Sequence, residues 1–315
     1  MSAISVTTPM EGLEPDSSAQ IIAILQLIYG LPSLSLMIFF LFFLGLGKNY
    51  NNSFYRLVQI GLVMNILCLL NSWVATRLEK HPSCIFILKF IESTIPGFIT
   101  LLKYHTYFFM HIQFFVISSL SVHRICTVLF PMSFEMICSK WYLLFVLFII
   151  IYSHLPKFLW SGFTFEVHIE NGVLVKTRYS LIYVRAININ AIFSMIYFII
   201  IALVGAGTVW LVTKKLRDAN VQHSKVSRTL TYIALTYCFL YSGILLWSVL
   251  SSLDSYYPFL PSFIVNYNFL LLTFLSDIMT LAIPYILLVF DANIRKDILH
   301  RKSTSTISVS SILVS

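Results

Sequence analysis

Seven stretches of this chain are so long and so apolar that only lipid can serve as their solvent. They run over roughly 20–47, 57–76, 98–128, 141–165, 187–213, 229–252 and 262–290. A helix rising about 1.5 Å per residue needs about 20 apolar residues to cross the hydrocarbon of a bilayer. Of the 315 residues, 58% are hydrophobic and 11% charged, where a soluble domain carries about 25% charged residues. A globule of this size has too little interior to hide so much Phe, Leu and Ile. The sequence therefore predicts an all-α integral membrane protein, a seven-transmembrane helix bundle. An N-terminal segment covers 1–19, the bundle 20–290 and a tail 291–315.

Loop charge sets the direction. With the N-terminus outside, thirteen Lys and Arg fall on the cytoplasmic side and seven outside, while eight acids fall outside and four inside. Positive loops stay in the cytoplasm, so the expected topology is N-terminus outside and C-terminus inside. The formal charge of +8 is spread over short loops, which marks topology and not a nucleic-acid-binding face. The first eighteen residues hold Glu11, Glu14 and Asp16 and no Lys or Arg, which is unlike a cleavable signal peptide. The sequon Asn51-Asn52-Ser53 falls in the first cytoplasmic loop. After the last span, Ile294, Ile298 and Leu299 share a helical face bordered by Arg295, Lys296, Arg301 and Lys302, the pattern of a short amphipathic helix on the inner leaflet. The third span is the least regular: Lys103 and Arg124 bracket it, and both are expected to snorkel to the bilayer surfaces. The apolar piece Cys84–Ile91 is cut by Lys89 and reads as a surface loop.

Polar residues inside the spans carry the functional reading. Asp277 sits near the middle of the seventh span, where an unpaired charge costs at least about 2.5–3.5 kcal/mol; Asn65 of the second span is its expected partner. Asn71, Trp73, His105, His111, Gln113 and Trp247 lie in the outer halves of their spans and make a candidate ligand cavity of aromatic walls with a few polar contacts. An aromatic interfacial belt with helix packing is the better account of any one of them taken singly. No HExxH, P-loop or GxSxG motif and no Cys/His set with zinc spacing is present, so no enzyme, metal or cofactor is expected. A small transporter or channel working through Asp277 and the span-three histidines is the alternative reading.

Several segments in order resemble the nematode seven-helix chemoreceptors of the serpentine receptor class gamma family. They are YGLPSLSL (Tyr29–Leu36), NNSFYRL (Asn51–Leu57), LLNSWVATRL (Leu69–Leu78), MHIQFFVISSLSVHRICTVLFP (Met110–Pro131) and IPYILLVFDANIRK (Ile283–Lys296). The resemblance covers nearly the whole chain. It implies a GPCR-like plasma-membrane receptor of sensory cells that detects a small-molecule ligand and couples to a heterotrimeric G protein. His123 and Arg124 then stand at the charged inner end of the third helix. The docking face adds Pro131 and the basic residues Lys214, Lys215, Arg217, Lys225 and Arg228. Rhodopsin-type receptors differ: here span six lacks a proline, span two lacks an Asp and the loop between spans four and five lacks a Cys.

Overall fold

In lipid the backbone must satisfy its own hydrogen bonds, and long apolar stretches do so as helices. The computed structural model describes residues 5–11, 17–160, 162–218, 224–257 and 260–299. Its helices are α1 (Ser17–Leu46), α2 (Ser53–Ser72), α3 (Ile85–Thr94), α4 (Phe98–Leu129), α5 (Pro131–Ser153), α6 (Leu155–Trp160), α7 (Ser180–Asp218), α8 (Ser224–Asp254) and α9 (Ser262–Phe290). A tenth helix, α10, covers 292–299. Among the described residues, six segments are each long and apolar enough to cross a membrane: Gln20–Leu46, Ser53–Lys80, Phe98–Thr127, Ser180–Lys214, Thr231–Asp254 and Leu270–Phe290. The fourth expected span corresponds to α5, whose apolar part is Lys140–Ser153. It starts earlier than expected, at Pro131, and breaks at His154. Pro156 has no N–H for the Tyr152 carbonyl, and the His154 N–H bonds back to Ile151 at 3.1 Å instead.

The bundle has one continuous core in which Met37, Phe40, Leu62, Ile112, Phe114, Leu120 and Tyr241 are fully buried. Large apolar residues such as Phe42, Leu143, Leu203 and Phe239 face outward, as suits a helix bathed in lipid. Ile294 of α10 is buried and Ile298 packs on the same core, while Arg295 and Lys296 are exposed. Arg301 and Lys302 lie outside the described residues.

Among the described residues, three strands depart from the expected all-helical pattern. They are β1 (Ser5–Pro9), β2 (Phe165–Glu170) and β3 (Val173–Tyr179), an antiparallel sheet in the order β1-β3-β2. Asn171 and Gly172 turn β2 into β3 with φ of 50° and 79°, the pair of positive angles a type I′ hairpin needs. Met10, Val167 and Leu174 pack with Ile85 and Leu88 of α3 and Ile99 of α4, so the sheet covers one end of the bundle. The opposite end gathers the α1–α2 connection, the start of α5 and α10.

Two sequence expectations change here. Cys84–Ile91 is largely helical and not a loop, because α3 is amphipathic: Ile85, Leu88 and Glu92 are buried while Phe86 and Phe90 face out. Glu92 then accepts from the Gly97 and Ile99 N–H groups at 2.5 and 3.3 Å, occupying the donors that the first turn of α4 leaves free. Lys103 does not snorkel. It is buried, donating to the Ala75 carbonyl and to Glu79, both at 2.6 Å, and Lys176 of β3 reaches the same carboxylate at 2.8 Å. A buried carboxylate within reach outweighs the route to water.

Candidate ligand and coupling sites

Buried charge is best placed where it is paired, and the sheet end of the bundle holds such a pair. Past Ser72, α2 widens into a π turn over Trp73–Arg77, a distortion often found at functional sites. It carries Arg77 inward, where its guanidinium binds the Asp277 carboxylate; both side chains are 3% exposed. Tyr29 of α1 donates to the other Asp277 oxygen at 2.5 Å, and Trp73 stacks on Arg77 at 4.9 Å. Arg77 Nε has no partner. The expected Asn65–Asp277 pair is therefore incorrect. Asn65 donates to the Thr280 carbonyl at 2.7 Å and accepts from Gln113 at 2.9 Å, because Arg77 offers Asp277 a charge that an amide cannot. Sequence placed Arg77 in an external loop; nothing in composition announces a π turn.

The six candidate ligand-cavity residues do not share one cavity. Gln113 points to α2 and α9 through Asn65 and Thr280, and Asn71 donates to Thr106 at 3.3 Å. His105 bonds the Leu101 carbonyl at 2.8 Å and lies against His154. Trp247 ties α8 to Asn268 of α9 at 2.6 Å. His111, two residues from Gln113 and so on the opposite side of α4, faces α7 and bonds Asn190 at 3.0 Å. Ser194 follows Asn190 by one turn. On α8, Ser248 lies one turn inward from Ser252, which donates to Asn188 at 2.7 Å. His111 Nδ1, Ser194 Oγ and Ser248 Oγ are all buried and unpartnered; further inward along the same helices Phe114 packs against Tyr197 and Tyr241 at ring-centroid distances of 5.2 and 4.8 Å. Asn190, Ser194 and Ser248 escaped sequence reading because Ser and Asn are unremarkable in any one span; only facing helices reveal the group. Asp277 is held by Arg77 and Tyr29, while His105 bonds the Leu101 carbonyl, His111 bonds Asn190 and His123 bonds Ser53.

At the other end, His123 and Arg124 part company. The Arg124 guanidinium lies over Phe54 at 5.5 Å and Tyr237 at 5.8 Å, at the wall of a cavity of about 270 Å³ that also touches Ile233, Phe290, Asp291 and Asn293. Among the described residues it forms no ion pair. His123 turns the other way and bonds Ser53 Oγ at 2.6 Å. Ser53 donates to Glu135 through its hydroxyl, and through its N–H at 2.7 Å, which ties α2, α4 and α5 together. Glu135 accepts from both the hydroxyl and the N–H of Ser53 and so caps the start of α2. Pro131 occupies the first turn of α5, Lys214 lies over Trp210 at 5.6 Å and Arg217 is exposed. The side chains of Pro131, Lys215, Lys225 and Arg228 lie outside the described residues.

With both ends in view, comparison with known proteins is informative. The family model of the Srg family chemoreceptors matches residues 23–298. Serpentine receptor class gamma-47 of Caenorhabditis elegans is 38% identical over 279 residues, covering 87% of this chain and 89% of the relative. Serpentine receptor class gamma-53 of the same nematode is 28% identical over 276 residues, covering 85% and 88%.

Proposed function

This chain belongs to the Srg family of chemoreceptors, and on that premise we propose how the two ends of the bundle divide the work. It is a multi-pass membrane receptor of chemosensory type. The ligand is a small molecule with hydrogen-bonding groups, held between α4, α7 and α8 by His111, Asn190, Ser194 and Ser248. The observation that carries this reading is the set of buried, unpartnered polar atoms on three helices. Leaving each unsatisfied costs about 1–3 kcal/mol, a cost that a ligand or water occupying the site removes. Asn71 and Gln113, whose Oδ1 and Oε1 are also unpartnered, extend the polar layer toward α2.

The Arg124 end faces a heterotrimeric G protein in the cytoplasm of a sensory cell, and the sheet end faces outward with the N-terminus. Loop charge supports this direction. Segments 1–19 and 291–315 then flank the bundle outside and inside. The test is a ligand screen in cells carrying a G-protein reporter. Ser194→Ala and Ser248→Ala are expected to shift the potency of a hit, whereas Arg124→Ala abolishes the signal while leaving ligand binding. Glycosylation at Asn51 would reverse the topology and end the reading.

A further inference from the structure

A second cavity, of about 530 Å³, lies in the half of the bundle opposite the sheet, on the His123 side of α4, and reaches from the Ser53–His123 pair to Tyr197. We propose that it is a binding site for an uncharged, membrane-dissolved lipophile carrying a single carbonyl or hydroxyl oxygen, and that this molecule enters sideways from the bilayer. The volume falls within the range of small-molecule pockets, about 300–1,000 Å³. α4 forms the floor through Phe115, Ser118 and His123, α5 one wall and α7 the other. The slot runs from Phe115 to His123, about 12 Å along the helix at about 1.5 Å per residue. At one end the Tyr197–Tyr152 hydrogen bond of 3.0 Å bridges the walls; at the other stands the Ser53–His123 pair.

Three observations set the ligand's chemistry. The mouth is lateral: Val122, Ile137, Trp141 and Ile200 line the cavity and are 37–56% exposed on helix faces that meet lipid. Among the described residues the lining contains no Lys, Arg, Asp or Glu, and its one imidazole, His123, is engaged by Ser53, so no fixed positive charge awaits a phosphate or a carboxylate. One hydroxyl, Ser118 Oγ, lies just behind the floor with no partner, so a rotation of that side chain into the slot would supply one hydrogen bond and define one oxygen on the guest.

The test uses the purified full-length receptor in lipid nanodiscs with three photoactivatable probes. One is a long-chain alkyl ketone bearing a diazirine, the second the same chain ending in a carboxylate, the third a phosphatidylcholine with a diazirine in its acyl chain. The ketone should label α4, α5 and α7 peptides around the cavity saturably, and the carboxylate at least about tenfold less. Ser118→Ala should weaken ketone labelling by about 2- to 10-fold, the equivalent of one net hydrogen bond. Because that change removes an unpartnered group, the unliganded thermal midpoint should hold or rise. Val122→Trp, at the exposed mouth, should block labelling. Unsaturable labelling spread over outward residues such as Leu143 and Phe239, equal labelling by the phospholipid, or indifference to Ser118→Ala would each overturn the proposal. None of these measurements involves a G protein or the His111 site.

Discussion

Removing Asp277 should harm the receptor less when Arg77 is removed with it. Both side chains are 3% exposed, and the pair joins α2 to α9 while Tyr29 brings in α1. Taking away one partner leaves an uncompensated charge in the bundle, which costs about 3–5 kcal/mol. Replacing both by apolar residues of similar size removes the charge problem and is often close to neutral. Asp277→Leu and Arg77→Met are each expected to lose about 3–5 kcal/mol, and the double variant to recover most of one loss. The coupling in a double-mutant cycle should then exceed one single loss, about 3–5 kcal/mol, at or beyond the top of the usual range for contacting residues. Equilibrium unfolding in mixed micelles measures the stabilities, and surface labelling of cells reports the folded yield. Additive single effects, with coupling below about 0.5 kcal/mol, would refute the claim that the two charges hold each other.

Three further outcomes follow from named contacts. Glu11 bonds Lys89 at 2.9 Å and accepts from the Leu174 N–H at 3.2 Å, and mainly the Lys89 contact holds its carboxyl below the ordinary value of 4.5. Because the folded form is the more acidic, its contribution is full above pH 4.5 and is lost as pH falls through the depressed value; the hydrogen-exchange protection of the amides of residues 6–8, relative to their intrinsic rates, should fall there, and Glu11→Gln should remove that dependence. Glu92→Ala frees two N–H groups at the start of α4 and should cost about 1–2 kcal/mol, as a lost helix cap does, read by thermal unfolding. Gly61→Val should cost about 1–3 kcal/mol through overpacking, since even a Cβ there meets Val116 at 3.1 Å and Ile283 at 3.2 Å; an unchanged midpoint would show that α2, α4 and α9 can move apart.

The membrane class and the order of the spans are legible in the sequence because length and hydropathy report what lipid requires, one span at a time. The ends are less legible. Arg77 looks like a loop residue until the π turn brings it inside, and Lys103 looks like an anchor until Glu79 is seen beside it. Both depend on a partner far along the chain. The hairpin did leave a local signal, Asn171-Gly172 between FEVHIE and VLVKTRY, a strong short-range hairpin cue. The site was only partly visible, because His111 and Gln113 differ by two residues but face opposite sides of α4, and the neighbours that decide their roles lie on α7, α2 and α9.

The β1–β3 ladder joins Ser5 to Tyr179, so this strand has no neighbour until six helices, α1 to α6, and a hairpin have followed it. Contacts so distant in sequence form late, and until then β3 has a bare edge able to pair with another chain. Closure of this sheet thus marks the moment when the first half of the receptor is complete. A chain shortened at its beginning would be expected to reach the membrane, yet arrive with an open strand that quality control, or a neighbouring copy, can seize.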